Sequence, residues 1–167
     1  MSDYRKKLIE VAMPLEAINE ACEKENKPAI RHPKRLQQYW ARRPLASCRA
    51  VLFGQLVDDP SSWPDRFPSE SEQDNERERL FQILRDLVVW DNADNPRVIN
   101  VARREIAQNL ARTRISDGNP NKRDETILAE GVLPEIVNAY LAEVAPPVHD
   151  PFAGGGAIPL EAQRLGL

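Results

Sequence analysis

The clearest chemical pattern in the chain is its run at residues 148–167, V-H-D-P-F-A-G-G-G-A-I-P-L-E-A-Q-R-L-G-L. An acid, Asp150, ends a short apolar-flanked segment that reads as a strand over residues 148–150. Gly154, Gly155 and Gly156 follow, and an amphipathic helix begins behind them. Strand, glycine turn and helix N-terminus let backbone approach a bound nucleotide closely, because glycine carries no Cβ and a helix start presents unpaired N–H groups. Pro159 fits the first turn of that helix, Glu161 sits near its positive end, and Gly166 closes it. The pattern is not G-x-G-x-x-G, since Pro159 stands where a third glycine would, and it lacks the lysine of a P-loop. A tight turn that holds no ligand is the other reading of the same residues.

The order Asp-Pro-Phe-x-Gly-x-Gly resembles the S-adenosylmethionine loop of amino-methylating DNA methyltransferases. That resemblance implies that Asp150 faces the methionine part of the cofactor while Gly154 and Gly156 pass beneath it. Pro151, Phe152, Ala153 and Gly155 complete the implied cofactor loop. A second likeness lies upstream, in I-E-V-A-M-P-L-E-A-I-N at 9–19, H-P at 32–33 and Y-W-A-R-R-P-L-A at 39–46. These segments are similar to the N-terminal region of a bacterial family of adenine-specific DNA methylases, some found beside anti-phage defence genes. In that family the region is itself a domain of unknown function. The resemblance implies S-adenosylmethionine as cofactor, N6 of adenine in DNA as target, and defence-system proteins as further partners. By analogy with several amino-methyltransferases, His32, Pro33 and the helix after Pro44 would flank the cofactor.

Residues 28–57 are a basic island in a chain of net charge −3. Arg31, His32, Lys34, Arg35, Arg42, Arg43 and Arg49 surround Tyr39 and Trp40. Cations interleaved with aromatics suit phosphate pairing and base stacking, which makes Lys34, Arg35, Trp40, Arg42 and Arg43 candidates for nucleic-acid contact. An equally good account is a solvated face whose arginines pair with the chain's carboxylates while Trp40 is core.

Composition bounds these readings. With 167 residues, 29% charged and 41% hydrophobic, the chain is long enough for a folded core and ordinary for a globular protein. Its slight negative charge gives no global nucleic-acid signature, so any such surface is local. Cys22 and Cys48 stand alone without a C-x-x-C, and His32 and His149 are the only histidines, so no zinc site is supported. No apolar run approaches the ~18 residues of a membrane span, and no signal-peptide core is present. The expected setting is the cytoplasm, with reduced thiols and no membrane contact.

The elements that would position these residues are mostly helical. Four regions are expected: a helical region with the basic segment at 1–57, a linker at 58–79, a helical region at 80–145, and the start of a methyltransferase core at 146–167. Leu15, Ile18, Ala21 and Cys22 recur at helical spacing after Pro14. Leu45, Cys48, Leu52 and Leu56 form one stripe after Pro44, and Ala50, Phe53 and Val57 another, predicting a helix buried on most sides. Prolines, serines and acids at 58–79 predict loop, with Trp63 and Phe67 pinning it. Leu80, Ile83, Leu84, Leu87 and Val88 mark the next helix; Asn95 caps another that carries Val98, Ala102, Ile106 and Leu110. Its arginines, Arg97, Arg103, Arg104, Arg112 and Arg114, are expected on a solvated face, with DNA-backbone contact as the secondary reading. A final helix through Leu133, Ile136, Val137, Tyr140 and Leu141 delivers the chain to the glycine loop.

The expected fold is therefore a mostly α N-terminal region leading into the first strand–loop–helix of an α/β, Rossmann-like methyltransferase, cut short. The Asp/Asn-Pro-Pro-aromatic motif that holds the target amino group in the resembled family is absent, so no catalytic residue is assigned. The chain reads as an N-terminal piece, inactive alone, of a DNA adenine methyltransferase. The competing reading is a non-enzymatic helical module of a defence system that binds DNA or a partner through residues 31–49.

Overall fold

The computed structural model describes residues 4–26 and 43–167. They form eight α-helices: α1 (Leu8–Val11), α2 (Leu15–Asn26), α3 (Leu45–Leu56), α4 (Glu70–Val88), α5 (Pro96–Ser116), α6 (Asp124–Leu128), α7 (Pro134–Val144) and α8 (Ala157–Leu165). Helices α3 and α5 are the axes of the body. The first packs against α1, α2, α4 and α8; the second packs against α4, α6 and α7. Phe53, Leu80, Leu84, Leu87, Ile106, Ile127, Leu141 and Leu165 lie fully buried between them. Burying such side chains contributes roughly 1.5–3 kcal/mol each, and that burial drives the assembly.

Local signals explain most helix boundaries. The Ser69 hydroxyl accepts from the Glu72 amide while the Glu72 carboxylate accepts from the Ser69 amide, a reciprocal cap that starts α4. Ion pairs of Arg77 with Asp74 and of Arg79 with Glu76 then support its polar first half. The loop expected over 58–79 consequently gives way to helix at Glu70, ten residues before the apolar stripe begins. Trp63 does pin the preceding stretch: the Arg5 guanidinium sits 4.9 Å from its ring centre. The Asn95 side chain accepts from the Arg97 amide at 3.1 Å and Pro96 opens α5, as its sequence predicts.

Two further expectations fail. Residues 148–150 form no strand, and among the described residues the only β pairing is an isolated bridge between Lys7 and Asp58. A strand needs a neighbour for its backbone donors and acceptors; Pro146 and Pro147 supply no donors, and Val148 and His149 lie exposed. The described body is helical throughout. The arginines of α5 also depart from a solvated face. Arg103 donates to the Arg164 carbonyl and the Asn138 side chain, Arg104 to the Val132 carbonyl, and Arg112 faces Glu105. Only Arg97 of the set is exposed; Arg103, Arg104 and Arg114 tie α5 to its neighbours, and Arg112 pairs within the helix.

The α6–α7 corner rests on a buried polar contact. Tyr140 donates to Asp124 Oδ1 at 2.5 Å, with both residues fully buried. Burial, then the bond to Asp124, raises the Tyr140 phenol above its ordinary value. A raised folded value means the contribution is complete below the unfolded pKa of ~10 and is lost as pH climbs through the folded one. Thermal unfolding followed from pH 8 to 12 should therefore show wild type losing stability at the alkaline end. Tyr140→Phe should start lower by about 1–3 kcal/mol and lose correspondingly less on that alkaline limb. Parallel pH profiles for the two proteins would refute the assignment.

Candidate functional site

The glycine turn survives the loss of its strand. Asp150 Oδ1 accepts from the Phe152 amide at 3.1 Å, so the acid folds the turn back on itself. Gly154 and Gly156 take left-handed backbone, with φ of 56° and 75°, where a side chain would be strained. The Gly156 amide donates to the Ala153 carbonyl, and Gly156 serves as the N-cap of α8. Gly166 closes the helix at φ 82°, as expected from the sequence.

An open cleft of about 330 Å³ lies over this turn. Asp150, Phe152, Ala153, Gly154 and Gly155 line it from the loop, Ala157 and Ile158 from the first turn of α8, and Arg43 from the residue before Pro44. The structure thus brings together one member of the basic segment and most of the loop. Pro151 and Gly156 belong to the turn but do not line the cleft. Lys34, Arg35, Trp40 and Arg42, with His32 and Pro33, lie outside the described residues.

Arg43 and the loop hold their relation through two interactions that the sequence reading missed. The buried Glu25 carboxylate, at the end of α2, accepts from the amides of Leu45 and Ala46 at 3.0 and 3.2 Å and so caps α3 from outside. Arg49, read as basic surface, is in fact 1% exposed, and Glu161 is 0% exposed. Arg49 Nε lies 2.9 Å from Glu161 Oε2, pinning α8 to α3, although neither atom makes an aligned hydrogen bond. Arg49 also donates to the Leu87 carbonyl at 2.6 Å, and Arg164 donates to Glu161 Oε1. Burial holds the Glu161 carboxyl above its usual range against the pull of Arg49 and Arg164, and lowers the Arg49 guanidinium against Glu161. A signal for this was present: Arg49 occupies the helical position four after Leu45 and three before Leu52, inside an apolar stripe.

Other chemistry is sparse. Burial pushes the Cys48 thiol up to about 11, which makes it inert packing; Cys22 lies half-buried against the core. Among the described residues no cluster of three or more His, Cys, Asp or Glu is placed to hold a metal, and no helix is long and apolar enough to cross a membrane.

Residues 12–83 match the model of a family described as protein of unknown function (DUF1156). The N-terminal half carries a domain of unknown function. The DUF1156 match spans α2, the basic segment, α3 and most of α4, and stops well before the glycine loop. Arg43 and Arg49 belong to the DUF1156 region, whereas Asp150 and Glu161 lie outside it, so the cleft and the buried ion pair both join the matched region to the C-terminal segment. No curated protein and no solved structure matches the chain.

The ion pair yields a direct test. Arg49→Met leaves Glu161 buried with Arg164 alone, and Glu161→Leu leaves a buried guanidinium facing one carbonyl. Each should destabilise by about 3–5 kcal/mol in urea unfolding, whereas the double replacement should recover most of that loss. Strictly additive losses would mean that the two charges do not interact.

Proposed function

We propose that this chain carries the cofactor-binding end of an S-adenosylmethionine-dependent methyltransferase, with N6 of adenine in DNA as the acceptor in the intact enzyme and with defence-system proteins as associated partners. One observation supports the reading above the others: the Asp-Pro-Phe-x-Gly-x-Gly turn opens onto a cleft with a carboxylate, a guanidinium and a helix start in its lining. The volume falls in the ~300–1,000 Å³ range of small-molecule sites. The donor set fits the cofactor. Asp150 suits its ammonium group, left-handed glycine backbone at Gly154 allows close approach, and the first amides of α8 lack intrahelical partners.

When bound, S-adenosylmethionine supplies a methyl group on a positively charged sulfur. The residues of this chain would bind and orient it. Asp150 keeps one carboxylate oxygen on the Phe152 amide and leaves the other for the ligand, so the loop is shaped before anything binds. Phe152, 90% exposed at the cleft, offers an apolar ring that a bound molecule would cover. No residue here is assigned to proton transfer or to holding the acceptor amine. The Rossmann-like sheet of such enzymes is part of the proposal for the intact protein, with residues 148–150 as the segment that would join it.

Calorimetric titration of the full chain with S-adenosylmethionine checks the reading. Wild type should bind, Asp150→Asn about tenfold more weakly. Gly154→Val should show no binding while keeping the wild-type helical circular dichroism. Equal affinities in a folded Gly154→Val protein would sink the cofactor assignment.

A further inference from the structure

The cleft contains one cation and one anion, and they come from distant parts of the chain. Arg43 and Asp150 are the two charged side chains of its lining. Neither has an ion-pair partner among the described residues. Their separation is set by the fold, because Arg43 precedes the Glu25-capped start of α3 and the glycine turn precedes α8, which Glu161 fastens to that same helix. Opposite charges held apart across a small cleft fit a ligand that itself carries both signs, and an α-amino acid group is such a ligand. Its carboxylate matches a guanidinium in a planar, two-pronged contact; its ammonium matches a carboxylate.

We propose that Arg43 is the specificity-determining residue of the cleft and pairs with the carboxylate of the ligand's amino-acid end while Asp150 takes the ammonium. This rests on the cofactor reading above and adds to it the residue that selects for a carboxylate. It also gives the DUF1156 region a role: its basic segment contributes a ligand contact to a loop that lies outside the matched residues. A contact of this kind is electrostatic and directional, so it discriminates by the presence of one group.

The test uses the full chain with three probes: S-adenosylmethionine, its decarboxylated analogue, which keeps the ammonium and sulfonium, and 5′-methylthioadenosine, which lacks the amino-acid end. Wild type should favour S-adenosylmethionine over the decarboxylated analogue by about tenfold. Arg43→Gln should lose that preference by weakening S-adenosylmethionine alone, and Arg43→Lys should restore part of it. Arg43 is exposed, so its replacement should leave the melting temperature unchanged and the binding result interpretable. Binding of S-adenosylmethionine with the same preference in Arg43→Gln overturns the role of Arg43 and leaves the cofactor reading intact. Failure of wild type to bind any of the three overturns the cofactor reading, and the role of Arg43 with it.

Discussion

The buried charges of Arg49 and Glu161 set the relation between the two ends of this molecule. Removing two ions from water is expensive, and their attraction only partly offsets it, so the pair adds little net stability. Its effect is on register. If α8 slid along α3, the two charges would lose each other in the core, leaving Glu161 to Arg164 alone and Arg49 to one carbonyl, a costly arrangement for buried ions. A nine-residue helix with a short apolar stripe could otherwise settle on α3 in several ways. The guanidinium also reaches the Leu87 carbonyl at the end of α4, where the helix dipole favours a cation. Three helices thus meet at one side chain.

A second polar joint does for the opposite end of α3 what a sheet would do for a strand. Where α3 stops, Asp58 receives Lys7 at 2.6 Å and Asp59 receives Arg77 through two nitrogens at 2.9 and 3.0 Å. Asn109 of α5 donates to the Leu56 carbonyl and accepts from the Asp58 amide, so its one side chain satisfies both sides of the end of α3. Burial works against the Asp59 charge, yet Arg77 and Ser61 hold its carboxyl below the ordinary value. The N-terminal segment is fastened here too, through Leu8 N to the Val57 carbonyl and Asp59 N to the Lys6 carbonyl. Backbone groups of two segments are thereby paired, with the Asn109 side chain from a third, without any strand ladder.

Much of this was legible in the sequence, because it depends on neighbours within one helix. The cap at Asn95, the stop at Gly166 and the stripes of α3, α4, α5 and α7 are local patterns of period 3.6 with recognisable ends. What escaped was mostly long-range, with one local exception. The start of α4 was hidden because its first ten residues carry charge instead of apolar periodicity, and their helix is held by a cap and ion pairs. The arginines of α5 looked solvated because their partners, carbonyls of Val132 and Arg164, are invisible to any pattern of side chains. The strand at 148–150 was inferred from a motif whose context is a sheet, and no sheet is formed. For the site, the loop and Arg43 were both named from sequence, yet nothing local revealed that they share a cleft.

The loop therefore depends on helices for an order that a sheet would ordinarily supply. Three adjacent glycines lose more freedom on ordering than any other residues, and that cost must be met from the flanks. On one side α8 is fixed by Glu161. On the other, the chain leaves α7 through Pro146 and Pro147, whose restricted φ angles stiffen the approach. Helix α7 is itself held by Tyr140 on Asp124. Arg43 completes the frame from α3. The cleft is lined by the turn, the first turn of α8 and Arg43, so disturbing the core pair at Arg49 would displace its walls without touching any residue that lines it. The shape of the cleft and the register of α8 on α3 are, on this geometry, two readouts of the same constraint.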